Sequence, residues 1–126
     1  MTPVSAGLPR ILTIEDDLVL GAYVHEHLGR CGFQVTWCQN GQEGLSIARR
    51  QPFDVVLMDI NLPGMLGTEC VRRLKIVAPD VPVLMLTAKG AGREREAAER
   101  AGVSRFMTKP FSNADILASV RALAGR

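Results

Sequence analysis

The sequence predicts an α/β protein: a single doubly wound (βα)5 domain built on a central five-stranded parallel sheet of order 2-1-3-4-5. Three observations lead there. Short apolar runs alternate with stretches of helical period along the chain, the sign of a parallel sheet with helices on both faces. The third run, Asp54-Val55-Val56-Leu57-Met58, is almost unbroken in apolar character, as a strand covered on both faces requires. Polar residues that look out of place, Glu15, Asp16, Asp59, Thr87 and Lys109, all fall just after apolar runs.

The first strand is Ile11-Leu12-Thr13-Ile14. Beyond the acids, Leu20, Val24 and Leu28 recur on one helix face until Gly32 offers a left-handed stop. Phe33 to Cys38 reads as strand two, with Trp37 in a packing role. Leu45, Ile47 and Ala48 place a short second helix over 43–50, ended ahead of Pro52. The central run delivers Asp59 at its carboxyl end, and after Pro63-Gly64 a third helix carries Val71, Leu74 and Val77. Val81 to Leu86 makes a fourth strand ending at Thr87, with Pro82 near its start, where a missing N–H is tolerated. From Arg93 to Ala101 one side is charged and the other alanine-rich, so the fourth helix is expected to be lightly anchored and comparatively mobile. Ser104 to Thr108 is a fifth strand delivering Lys109. Ser112 with Asp115 then opens a last helix bearing Ile116, Leu117, Val120 and Leu123 in the manner of a capping box. Residues 1–9, with Pro3, Gly7 and Pro9, read as a flexible extension and residues 10–126 as the domain.

Composition narrows the function classes. With 47% hydrophobic and 22% charged residues in 126, the chain fits one soluble globular domain and neither a disordered tail nor a coiled coil. The net charge of +2 is interleaved with acids, as in Arg93-Glu94-Arg95-Glu96, so no single-sign stripe suits a phosphate backbone and direct nucleic-acid binding by this chain is not expected. Cys31, Cys38 and Cys70 are scattered, without metal-ligand spacing, and read as thiols in a reducing compartment. No apolar run approaches membrane-spanning length and no secretory leader is evident, which makes the cytoplasm the expected location.

In open parallel sheets ligands bind outside the carboxyl ends of the strands, where the strand order reverses. For the order 2-1-3-4-5 that point lies between strands one and three and brings Glu15, Asp16 and Asp59 together. Three carboxylates in one crevice repel, and a hard divalent ion relieves the repulsion. Mg²⁺, or Mn²⁺ in its place, takes carboxylate and phosphate oxygens, so Glu15, Asp16, Asp59 and a backbone carbonyl near Asn61 are candidate metal ligands. Lys109 adds a second positive charge and Thr87 a hydroxyl for a phosphate oxygen. Metal plus lysine can offset the charge that develops when a phosphoryl group moves to the Asp59 carboxylate.

These residues, in this order and spacing, resemble the receiver (phosphoacceptor) domain of two-component response regulators, from Arg10 to the end of the chain. In that flavodoxin-like family an acidic pair follows strand one, the phosphorylated aspartate ends strand three, Thr or Ser followed by Ala ends strand four, and Lys-Pro ends strand five. Here these positions hold Glu15-Asp16, Asp59, Thr87-Ala88 and Lys109-Pro110, with Leu62-Pro63-Gly64-Met65 after the aspartate. The resemblance implies a signalling switch that accepts a phosphoryl group on Asp59 from a histidine kinase or histidine phosphotransfer protein, and is not a conventional enzyme. It implies a cis Lys109–Pro110 bond, available to an X-Pro peptide at modest cost. It also implies a switch in which Thr87 moves toward the phosphoryl group while the Phe106 ring turns inward. That motion would alter the face made by the fourth helix, fifth strand and fifth helix, and so control a partner or an attached output domain. Phe106 lacks a hydroxyl to hold an outward rotamer, so a bias to the inward state is expected. Asn61 and Lys89 occupy the family's variable positions beside the site. Leu66 stands where Asp is common, which predicts an exposed apolar residue. Ser104 and Arg105 replace acids often used for dimer salt bridges, so the state is expected to be a monomer or a phosphorylation-dependent dimer.

Blander readings exist for each residue. Asp16 or Asp17 could cap the first helix. Asp59 could be a turn residue or half of a structural pair with Lys109. His25 and His27 read as surface residues. An aspartyl-nucleophile phosphatase of the haloacid dehalogenase type shares the chemistry, but its Asp-x-Asp follows the first core strand, whereas here the residue two after Asp59 is Asn61. A nucleotide or flavin site wants glycines and N–H groups where this chain is acidic. A phosphorylation-independent interaction module predicts a damaged acidic cluster, and the cluster is intact.

Overall fold

The computed structural model describes residues 7–88 and 90–125. In chain order the elements are β1 (Arg10–Ile14), α1 (Leu18–Arg30), β2 (Gln34–Cys38), α2 (Gly41–Arg50), β3 (Val55–Asp59), β4 (Asn61–Leu62), β5 (Met65–Leu66), α3 (Gly67–Val77), β6 (Val83–Thr87), α4 (Gly92–Ala101), β7 (Arg105–Thr108) and α5 (Asn113–Ala124). Five strands form one sheet of order β2-β1-β3-β6-β7, and every pairing in it is parallel. This is the predicted 2-1-3-4-5 order, with β6 and β7 as the fourth and fifth core strands.

Strand alternation divides the core between the two faces of the sheet. Leu12, Ile14, Val56, Met58, Val83 and Met85 pack with Leu45 of α2 and Cys70, Val71 and Leu74 of α3. Ile11, Val55, Leu57, Leu84, Leu86 and Met107 pack on the other side with Val24 and Leu28 of α1 and Ile116 and Val120 of α5. All five residues of β3 are buried, as are all five of β6. Burying these side chains stabilises the fold by about 1.5–3 kcal/mol for each large aliphatic, set against the entropy of ordering them.

The ends of the elements follow local chemistry. Asp17 is the cap of α1, its Oδ1 accepting from the N–H groups of Val19 at 2.9 Å and Leu20 at 3.1 Å. α2 begins at Gly41, two residues ahead of the predicted start, and Asn40 caps it by accepting from Glu43 N–H at 2.8 Å. Ser112 and Asp115 form the expected capping box on α5. Gly32, just after α1, has φ +97°. The fourth helix buries Ala98 alone, consistent with its expected light anchoring.

Three local features depart from expectation. A two-stranded antiparallel hairpin, Asn61–Leu62 with Met65–Leu66, precedes α3. Its turn carries Pro63 and Gly64, the latter at φ +75°, a Pro-Gly turn signal that in the sequence marks only the approach to a helix. Pro82 lies before β6, where its carbonyl accepts from Val56 N–H at 3.0 Å. His27, expected at the surface, is half-buried, stacks on Tyr23 at 5.6 Å between centroids and lies 3.4 Å from the Asn113 carbonyl. His25 is exposed, as is Leu66 at 76%. The predicted extension over residues 1–9 falls mostly outside the described residues, as does Lys89.

Candidate functional site

Parallel strands deliver successive polar residues to one end of the sheet, and the register fixes which of them meet. β1 and β3 are direct neighbours, with Ile14 opposite Met58, so Glu15 and Asp59 leave adjacent strands side by side. One carboxylate oxygen from each of Glu15, Asp16 and Asp59 lies within 4.8 Å of the others. Glu15 is 2% exposed and Asp59 6%, while Asp16 faces solvent. Asp17 is spent on the helix cap, which leaves Asp16 as the exposed acid of the cluster.

Asp59 is held from two sides. Its Oδ1 accepts from Asn61 N–H at 2.8 Å, and its Oδ2 pairs with the Lys109 ammonium. Lys109 Nζ is also 3.8 Å from Glu15 Oε1. Burial pulls the Lys109 pKa down, but the hydrogen bond and charge of Asp59, together with Glu15, outweigh it and the net direction is upward. Lys109 is therefore a fixed cation. It leaves β7 next to Thr87 of β6, whose carbonyl accepts from Lys109 N–H at 2.8 Å. The Lys109–Pro110 bond that follows is cis.

Glu15 is buried among like charges. Burial, then the charges of Asp59 and Asp16, push its carboxyl up to about 7 against the lowering effects of the Asp17 N–H and Lys109. Its Oε2 accepts from Asp17 N–H at 3.1 Å, whereas the buried Oε1 has no hydrogen-bond partner. The Thr87 hydroxyl, 1% exposed, likewise has none. Unpaired buried oxygens are costly. Here one belongs to a crowded carboxylate and the other to a hydroxyl at the same end of the sheet, and a hard cation with an oxyanion would satisfy both. The donor set, carboxylate oxygens around a position open to solvent through Asp16, fits Mg²⁺ or Mn²⁺.

Phe106 lies away from this cluster. It sits opposite Met85 on β7, half-buried, with the Arg95 guanidinium of α4 4.7 Å above its ring. The fold thus groups Glu15, Asp16, Asp59, Thr87 and Lys109 at one end of the sheet, places Asn61 at their edge in β4, and sets Phe106 at the α4 face. For one residue of this neighbourhood the sequence suggests only a packing role. Trp37 packs against Gly21 and also donates its indole N–H to the Glu15 carbonyl at 2.9 Å. No sequence pattern predicts such a bond, because it depends on the β1–β2 register.

Known proteins share this sequence pattern and this fold. The family model described as response regulator receiver domain matches residues 11–121. The transcriptional regulatory protein QseB of Escherichia coli O157:H7 is 37% identical over 117 residues, covering 93% of this chain and 53% of that protein. The transcriptional activator protein PfeR of Pseudomonas aeruginosa is 38% identical over 123 residues, covering 98% of this chain and 40% of that protein. The chain therefore spans about half the length of the curated relatives it matches. Among solved structures, the receiver domain of sensor histidine kinase PA1611 from Pseudomonas aeruginosa PAO1, with a magnesium ion coordinated in its active-site cleft, superposes with TM-score 0.87 at 29% identity over 95% of this chain and all of that one. A CheY-like receiver domain protein from Methanospirillum hungatei JF-1 gives TM-score 0.90 at 26% identity, covering 94% and 95%.

Proposed function

This chain belongs to the response regulator receiver domain family, and on that premise we propose that it is a switch operated by Mg²⁺-dependent phosphorylation of Asp59. The observation that carries the reading is the arrangement around that side chain. A nearly buried carboxylate at the end of the central strand is gripped by Lys109 and shares its crevice with Glu15 and Asp16.

Asp59 acts as nucleophile. A carboxylate oxygen forms a bond to phosphorus as the bond from phosphorus to the donor, a histidine nitrogen of a kinase or phosphotransfer protein, breaks with its electron pair leaving on that nitrogen. Glu15, Asp16, Asp59 and the Asn61 backbone would hold the divalent ion, which supplies positive charge against the phosphoryl oxygens when bound. Lys109, already directed at Asp59, transfers its ammonium hydrogen bond to a phosphoryl oxygen. Thr87 contributes its unpaired hydroxyl to another. That recruitment moves a buried side chain of β6, and Phe106, across the β6–β7 pair, answers it at the α4–β7–α5 face. The product is a changed surface, read by a partner or an attached output domain, and no separate metabolite is turned over. Phosphoryl transfer from a histidine kinase or phosphotransfer protein would take place in the cytoplasm, the location this reading proposes; no described helix is long and apolar enough to cross a membrane. The chain's own interleaved charge argues against direct DNA contact, so any transcriptional output would rest with sequence beyond this domain.

The test is intact mass after incubation with acetyl phosphate, with and without Mg²⁺, for the wild type and Asp59→Asn. A Mg²⁺-dependent gain of one phosphoryl group, lost in the variant, is expected. No gain with acetyl phosphate or phosphoramidate, and no beryllofluoride binding, would overturn the reading in favour of a phosphorylation-independent module.

A further inference from the structure

Glu15 lies one residue past the end of the β1 ladder, whose last pairs are Ile14 with Cys38 and with Met58. A residue in that position ordinarily has loose backbone groups. Here both are fixed, and from consecutive residues of β2: the Glu15 N–H donates to the Cys38 carbonyl at 2.9 Å, and the Glu15 carbonyl accepts from the Trp37 indole N–H at 2.9 Å. The indole replaces the ladder hydrogen bond that the sheet no longer supplies.

The ring itself is fixed by α1. A Cβ added at Gly21 would fall 2.2 Å from Cε2 and Cζ2 of Trp37 and 2.5 Å from Nε1, so the indole lies directly on the glycine backbone. Glycine inside a helix is destabilising relative to alanine, and this contact accounts for its presence. Gly21 N–H in turn donates to the Asp17 carbonyl at 2.8 Å, and Asp17 N–H to Glu15 Oε2 at 3.1 Å. The β1–α1 turn is thus clamped at Glu15 by Trp37 and at Asp17 by the helix, with Asp16 between the clamps. The buried Glu15 Oε1 makes no hydrogen bond and lies 3.8 Å from Lys109 Nζ, while the carboxylate as a whole belongs to the acidic cluster.

We propose that Trp37 is a positioning residue for the divalent-cation site, its indole N–H setting the Glu15 carbonyl and, through it, the direction of the Glu15 and Asp16 carboxylates. This rests on the Mg²⁺ reading above. Trp37 touches neither metal nor phosphoryl group and acts only through Glu15. Outer hydrogen bonds that orient ligands are worth about tenfold or more in metal affinity when they act on the ligand atom itself. One acting on the ligand's backbone, worth about 1 kcal/mol, corresponds to about fivefold.

Trp37→Phe keeps a ring over Gly21 and removes only the N–H. Gly21→Ala keeps the N–H and displaces the ring. Mg²⁺ is titrated calorimetrically into the wild type and both variants, with folding checked by circular dichroism. Because Trp37 is the one tryptophan, its indole N–H resonance is followed during the wild-type titration in a nitrogen-labelled sample. Mg²⁺ dissociation constants raised about fivefold in both variants, with a Mg²⁺-dependent shift of the indole resonance, are expected. Wild-type binding with folded variants unchanged within twofold would overturn the positioning role and leave the metal reading standing. A wild type that binds no Mg²⁺ would overturn both. If neither variant folds, the resonance decides: a shift supports the role, and an indole signal unmoved by saturating Mg²⁺ refutes it.

Discussion

Gly67→Ala sets two opposing effects against each other at the first residue of α3. Replacing glycine with alanine in a helix ordinarily stabilises by up to about 1 kcal/mol. At Gly67, however, the added Cβ would lie 2.5 Å from the Ile60 carbonyl oxygen, 3.0 Å from its Cα and 3.1 Å from its carbonyl carbon. Ordinary carbon–oxygen contact begins near 3.3 Å, so the overlap is about 0.8 Å. No side-chain rotation relieves it, because the obstructing atoms are backbone. Ile60 is buried and its N–H is bonded to the Leu86 carbonyl at 3.0 Å, and α3 is pinned by the fully buried Cys70, Val71 and Leu74. Overpacking of this kind costs about 1–3 kcal/mol, and because the obstructing backbone cannot rotate away the cost should lie toward the upper end, leaving a net loss of up to about 2 kcal/mol after the propensity gain. With a urea dependence of about 2 kcal/mol per molar, the middle of the usual range, the unfolding midpoint should fall by up to about 1 M. Because Ile60 lies between Asp59 and Asn61, Mg²⁺ affinity should fall as well. Gly29→Ala in α1, where an added Cβ meets nothing within 4 Å, is the matched control and should raise the midpoint. A Gly67→Ala protein as stable as the wild type, beside a stabilised Gly29→Ala, would refute the steric argument.

Burial pushes the Cys38 thiol up to about 12 and the Cys70 thiol up to about 11, so in native protein iodoacetamide should label half-buried Cys31 and spare both, as peptide mapping would reveal. In the unfolded chain those two thiols ionise near 9; between about 9 and 11 the native state therefore holds more protons, and stability should decline as pH rises through that window in alkaline denaturant titrations. Asp17→Ala removes the cap that accepts from Val19 and Leu20 and should cost about 1 kcal/mol in urea unfolding without abolishing phosphorylation. Lys109→Met should leave Mg²⁺ binding measurable while slowing phosphorylation by acetyl phosphate at least tenfold, since it removes the cation directed at Asp59; an unchanged rate would remove Lys109 from the chemistry.

The sequence by itself determined the elements and their order, because burial on two faces demands unbroken apolar runs such as Val55 to Met58, and helices packed on one face demand periodic residues such as Val24 and Leu28. It also placed Asp59, Thr87 and Lys109 at strand ends, since a charged or hydroxyl residue terminating an apolar run marks where a strand meets solvent. Tertiary structure decided what no local pattern encodes. The meeting of Glu15, Asp16 and Asp59 followed from the strand order, but the depth to which Glu15 is buried there did not, and burial beside two other acids is what lifts its carboxyl to about 7. Which acid caps α1 depended on backbone direction after β1, and it fell to Asp17. The hairpin over Asn61 to Leu66 and the indole bond to Glu15 depend on groups that meet only once the sheet is assembled. Periodicity reports which side of an element faces inward, whereas hydrogen bonds between elements are fixed by register and by the distance of closest approach, and both of these belong to the folded chain.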